Sequence, residues 1–275
     1  MTRALVLGGG GVAGIAWEAG VVTGLRRAGL DLGMADLIVG TSAGSVVGAL
    51  VAGGADLESA VAAQAESETE ATVPAVDMEA VMAAFGILYD PSLEPREARR
   101  RVGAMALAVP DTGAEIETIG QRLPVKEWPE RRLLITAVDA ETGEFVVWDR
   151  EAAAPLASAV ASSCAVPCVF PPVEIGGRHY MDGGVRSATN ADLAAGSSAV
   201  VLLEPMAHLA PRARVRAEVA ELGDAAVAHI VPDEASIAVF GANILDPALW
   251  RPAFDAGLAQ AQAPAVAGTV AEAWS

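Results

Sequence analysis

Residues 40–44 read Gly-Thr-Ser-Ala-Gly and follow the apolar run Leu37-Ile38-Val39. A Gly-x-Ser-x-Gly pentapeptide between a strand and a helix is the pattern of a nucleophile elbow. Gly40 and Gly44 leave room for a sharp turn, and the Ser42 hydroxyl is presented at the edge of a sheet. The helix expected from Ala43 points its amides and dipole at that hydroxyl and favours negative charge there. A serine hydroxyl attacks only when a base takes its proton, and the oxyanion that then forms needs hydrogen-bond donors. Gly9, Gly10 and Gly11 follow the first β-run, where amides unobstructed by Cβ atoms can form an anion nest. Asp182, followed by Gly183 and Gly184, which let the chain pass close to the site, is the candidate base.

The elements that must position these residues are legible around them. A β-run (Arg3–Leu7), the glycines 8–11, a helical stretch (Val12–Ala28), a second strand (Leu37–Val39) and a second helix (Ala43–Ala52) alternate in the order of a parallel sheet covered by helices. Segment 56–108 has no strand signal and reads as a helical insertion containing the acidic stretch AESETEATVP. Within it, Met78–Tyr89 is apolar around much of its circumference, which suits a buried core helix or, on a sharper reading, a lid or acyl-chain wall. Leu133–Val138 and Glu144–Trp148 flank a turn and predict a hairpin. Pro155–Ser163 is expected to be helical, and Pro167, Pro171 and Pro172 force an irregular, extended segment. Gly176-Gly177 turns into His179–Met181, and Ser198–Leu203 is a buried strand. Residues 211–275 read as mostly helical, with helices at 212–229 and 246–272. The expectation is one domain over 1–275.

Composition narrows the function. Eighteen basic residues against 35 acidic ones give a net charge of −17, which disfavours nucleic acid and anionic headgroups at long range but leaves a local apolar docking patch open. Apolar residues make up 53% of the chain and aromatics 4%, so the core is expected to be built from Ala, Val and Leu. Cys164 and Cys168 stand four residues apart without His or Cys partners at metal-binding spacing and predict buried free thiols rather than zinc. No long uncharged apolar span is present, and the chain opens on a strand pattern that leaves no room for a signal peptide, so a soluble, cytoplasmic protein is expected.

The glycine loop, the Gly-Thr-Ser-Ala-Gly elbow and the later Asp-Gly-Gly occur in the order found in the patatin-like phospholipase family. The text before the aspartate is similar to the family's aspartate block: Ala159–Ser163, Pro167, Phe170–Val173, then Tyr180–Val185 and Asn190. The resemblance covers residues 3–205; the part from 206 to 275 carries none. It implies a three-layer α/β sandwich with a mainly parallel central sheet, and acyl-ester hydrolysis by a Ser42–Asp182 dyad without histidine, metal or cofactor. The oxyanion hole would be built by the glycine loop, with Gly10 and Gly11 donating and Gly9 shaping the turn. The implied partner is an acyl-ester or lipid substrate, with at most peripheral membrane contact. His179 is expected on a surface hairpin, and neither His208 nor His229 lies in a motif. One departure stands out. The family usually carries Arg or Lys where this chain has Ala13, which weakens the case for a phospholipid headgroup and leaves smaller esters, lysophospholipids or thioesters open.

Two other readings remain. Gly9, Gly11 and Gly14 also satisfy the G-x-G-x-x-G fingerprint of a dinucleotide-binding Rossmann domain, which needs an acidic residue at the end of the second strand. There the chain has Gly40-Thr41-Ser42, and Asp31 and Asp36 fall before the strand. A non-hydrolytic acyltransferase relative would keep the same dyad and use an acceptor other than water.

Overall fold

The computed structural model describes residues 2–67, 77–109, 116–209 and 211–274. Most of the acidic stretch AESETEATVP lies outside them. The strands are β1 (Arg3–Leu7), β2 (Leu37–Gly40), β3 (Arg132–Asp139), β4 (Phe145–Trp148), β5 (Val173–Ile175), β6 (Arg178–Asp182), β7 (Ala199–Leu203) and β8 (Ala226–Ile230). They form one mixed sheet in the order β5-β6-β3-β2-β1-β7-β8, with β4 paired to β3. The centre, β3-β2-β1-β7-β8, is parallel, and β4, β5 and β6 add antiparallel pairings. Because side chains alternate across a strand, each central strand feeds two cores. Leu5, Leu7 and Ile38 enter the larger one, while Ala4, Val6 and Val39 enter the other.

Helices cover both faces. The larger core packs against α1 (Gly11–Arg27), α2 (Ala43–Ala52), α3 (Leu57–Ser67), α7 (Leu156–Ser163), α10 (Trp250–Ala261) and α11 (Pro264–Trp274). The opposite face meets α8 (Arg212–Glu221) and the 3₁₀ turn Ala191–Ala194. The insertion supplies α4 (Met78–Leu88), α5 (Pro95–Leu107) and α6 (Glu117–Gln121), and α9 (Glu234–Phe240) precedes α10. This is the three-layer α/β architecture expected, with a helical insertion after α2.

Three elements differ from expectation. The helix predicted over 212–229 stops at Glu221, and Ala226–Ile230 instead forms β8, paired in parallel with β7. The helix predicted over 246–272 is two, α10 and α11, divided just before Pro264, which cannot extend the preceding helix. Finally, α4 is not a core helix. Only Ala84 is buried, and Met78, Met82, Phe85 and Tyr89 are exposed along one side, because α4 rests on α5 at the margin of the insertion with a single face on the Val138–Met181 cluster.

The part of the chain after residue 205 is locked to the glycine-loop helix by close backbone approach. A Cβ on Gly20 would come within 2.1 Å of Phe254 O, and one on Gly257 within 2.2 Å of Trp17 O. Only glycine permits α1 and α10 to lie this near one another.

Candidate active site

Ser42 sits between β2 and α2 with φ 52 and ψ −118. A non-glycine residue is strained there, by roughly 1–3 kcal/mol, and keeps this conformation only where its surroundings over-determine it. The surroundings here do so. A Cβ on Gly44 would meet Leu7 O at 2.1 Å, and one on Gly40 would meet Gly44 O at 2.5 Å. Gly44 N donates to both Gly8 O and Thr41 O at 2.9 Å, and Ser42 N donates to Ser163 Oγ at 2.9 Å.

The second half of the site comes from the antiparallel side of the sheet. Asp182 ends β6 opposite Ala137 of β3, and its amide donates to Ala165 O. Its carboxylate accepts from the Ser42 hydroxyl and from Gly184 N, the latter at 2.6 Å. The group is only 4% exposed, and burial pushes its pKa up to about 7, against the opposing pull of the two hydrogen bonds. A carboxylate raised this far is a much better proton acceptor near neutral pH than an exposed one. The neighbouring Cys164 thiol, buried beside Asp182, is itself pushed up by desolvation and by that charge, so it stays protonated. Cys164 is buried as expected; Cys168 is half-buried, and both are free.

The glycine loop lies against Ser42. A Cβ placed on Gly9 would be 3.5 Å from that of Ser42. Gly9 N donates to Ala188 O at 2.8 Å, so its amide is committed to shaping the loop. Gly10 caps α1 and Gly11 opens it with φ 60, and neither amide finds an acceptor among the described residues. Two helix N-termini, those of α1 and α2, therefore flank one hydroxyl, an arrangement that favours developing negative charge.

A buried polar network ties the two halves together. Asn190, at φ 49, donates through Nδ2 to Thr41 Oγ1 at 3.0 Å and Ser187 O at 2.9 Å, and Thr136 Oγ1 donates to Thr41 Oγ1 at 2.9 Å. A Cβ on Gly183 would come within 2.2 Å of Thr136 Oγ1, which accounts for the first glycine after Asp182. Thr41 and Thr136 were not singled out from sequence. The only signal of Thr136 is a lone hydroxyl in an apolar stretch of β3, and that of Thr41 is its place beside Ser42 in the turn. The histidines are engaged elsewhere: His179 Nδ1 with Glu141 at 2.7 Å on the β5–β6 hairpin, His229 with Glu204 at 2.7 Å, and His208 against Phe240.

The sequence profile described as Patatin-like phospholipase matches residues 5–195. The chain belongs to the patatin-like phospholipase family. Family membership implies lipid acyl hydrolase activity. Among solved structures, the chain is similar to VipD from Legionella pneumophila, with 13% identity and a TM-score of 0.49 over 98% of this chain and 67% of that one. It is also similar to the type III effector protein ExoU, with 13% identity and a TM-score of 0.38 over 98% of this chain and 53% of that one. No curated protein matches it. Among the described residues, no helix is long and apolar enough to cross a membrane, and no cluster of His, Cys, Asp and Glu could hold a metal ion. The dinucleotide reading loses its remaining support in this geometry: Asp36, the acid nearest β2, accepts Arg3 N at the opposite end of the strand from Gly10.

Proposed function

We propose that this patatin-like chain hydrolyses carboxylic esters of lipids or smaller acyl compounds through an acyl-enzyme on Ser42, with Asp182 as the base. The observation that carries the reading is the hydrogen bond from the strained Ser42 hydroxyl to the buried Asp182 carboxylate, at the N-terminus of α2. In the first step the Ser42 Oγ–H proton passes to Asp182 as Oγ bonds to the ester carbonyl carbon. The carbonyl oxygen becomes an oxyanion facing the Gly10 and Gly11 amides. Collapse expels the alcohol, which takes the proton back from Asp182. Water then enters by the same route: Asp182 accepts its proton, hydroxide adds to the acyl carbon, and Ser42 leaves reprotonated. The family's basic residue is Ala13 in this chain, so the reading requires no cation beside the loop and suits uncharged acyl esters as well as phospholipids.

Fluorophosphonate labelling read by intact mass, with p-nitrophenyl ester hydrolysis alongside, tests it. The expected result is one label per chain and measurable turnover, both lost in Ser42→Ala. Folded wild-type protein that neither labels nor turns over would overturn the proposal.

A further inference from the structure

Glu18 lies on α1 and is fully buried, yet it takes no part in the proposed chemistry. Its Oε1 accepts the Gly8 amide at 2.8 Å, and Oε2 has no hydrogen-bond partner among the described residues. Among the described residues no cation is paired with it, and burying a carboxyl group without one is unfavourable. Desolvation accordingly drives its pKa well above the usual carboxylate range. A leucine or methionine would fill the same space in this apolar helix without that penalty. The position of Oε1 shows what an apolar residue would lose.

Gly8 is a junction between two peptide units. Its N–H is shared between Leu203 O, at 3.0 Å, and Glu18 Oε1. Its carbonyl accepts Gly44 N at 2.9 Å. The next amide, of Gly9, reaches Ala188 O in the segment that follows Asp182. The backbone at Gly8 thus holds the elbow, while the chain leaving it becomes the glycine loop. The Gly8 N–H is conjugated with the Leu7 carbonyl, which accepts Thr41 N at 3.0 Å, so an acceptor on that N–H polarises the peptide and strengthens Leu7 O as an acceptor for the elbow.

We infer that Glu18 is a positioning residue, whose carboxyl group fixes the Gly8 backbone and through it aligns both the glycine loop and the Ser42 elbow. The inference rests on the proposed function only in that the loop it braces is the candidate oxyanion loop. The bracing itself can be measured without substrate.

The test compares Glu18→Met, which fills the space but accepts nothing, with Glu18→Gln, which keeps an acceptor of the same shape. Hydrogen exchange read by mass spectrometry is expected to quicken in peptides covering 8–14 and 40–45 of Glu18→Met, with the rest of the sheet and the melting temperature held or raised. Glu18→Gln should exchange like wild type. In the ester assay, kcat of Glu18→Met should fall about ten- to a hundredfold with KM little changed, as expected when catalytic groups are slightly misplaced. Glu18→Gln should restore it. Unchanged exchange in both peptides of Glu18→Met would overturn the inference, and so would a tenfold loss of kcat or a loosened loop in Glu18→Gln. That last outcome is decisive even if the methionine variant does not fold. An inactive, unlabelled wild type would overturn the proposed chemistry and leave the exchange result to judge Glu18.

Discussion

The Asp182 carboxylate receives the Ser42 hydroxyl while almost wholly removed from water, and its pKa of about 7 reflects that burial outweighing two hydrogen bonds. Only the ionised form can take the serine proton. Ester kcat/KM is therefore expected to rise through an apparent pKa near 7 and level off above it, since kcat/KM reports the free enzyme. A profile already flat from pH 5 upward would mean that Asp182 ionises like an ordinary exposed carboxylate and is not the base.

The same shift has a consequence for stability, with a definite sign. The folded-state pKa lies above the unfolded value, so between about pH 4 and pH 7 the native state holds a proton that the unfolded state has released. Stability from this group is present below that window. It falls as pH rises, by up to about 1.4 kcal/mol per pH unit, and stays lower above pH 7. Asp182→Asn removes the ionisation, so the variant is expected to be inactive yet more stable than wild type at pH 8, with the gap closing towards pH 4. Urea unfolding at several pH values measures it; a variant less stable than wild type at pH 8 would contradict the linkage.

The dyad and the backbone strain at Ser42 can be separated by substitution. Ser42→Ala and Asp182→Asn are each expected to lower ester turnover by about three orders of magnitude or more, with the double variant little worse, because groups acting as a unit are not additive. Ser42→Gly should be equally inactive but more stable than Ser42→Ala by about 1–2 kcal/mol, since glycine adopts the conformation at φ 52 without a Cβ penalty. Equal stability of the alanine and glycine variants, measured by denaturation, would show that the elbow is not strained.

Asn190 links the elbow to the segment after Asp182 through Thr41, Thr136 and Gly183. Asn190→Ala deletes the donor and leaves these buried acceptors short of a partner. A loss of about 2–3 kcal/mol in stability is expected, with kcat lowered more than KM. A variant with wild-type stability and kcat would show that Thr136 alone holds Thr41.

How much of this was legible in the sequence follows from the range of the interactions. The elbow, the glycine loop and the Asp-Gly-Gly block are local patterns in which backbone geometry dictates residue type, and each stands where the motif order put it. The strand β8 was not legible, because AVAHI is short, alanine-rich and fixed only by pairing with β7 across the intervening helix. The closeness of α1 and α10 rests on Gly20 and Gly257, 237 residues apart, and nothing near either one signals the other. Glu18 gave only the signal of a single acid in an apolar helix, and what it holds became visible when Gly8 and Gly44 were brought together.

The position where the family usually carries a basic residue offers the last prediction. Ala13 is fully buried, and its amide donates to Ile244 O at 3.0 Å. A Cβ on Gly11 would meet Leu245 Cδ2 at 2.8 Å. The segment leading into α10 thus lies directly over the start of α1, and no space remains for a long cation. Restoring the family residue as Ala13→Arg forces either burial of an unpaired guanidinium or displacement of Ile244 and Leu245. The expected outcome is a loss of about 2–4 kcal/mol in thermal or urea unfolding. Ala13→Ser adds a single hydroxyl and should cost less, about 1–2 kcal/mol. If Ala13→Arg were as stable as wild type and gained activity on anionic phospholipids, the Ile244–Leu245 segment would be a movable cover over the glycine loop rather than part of its scaffold.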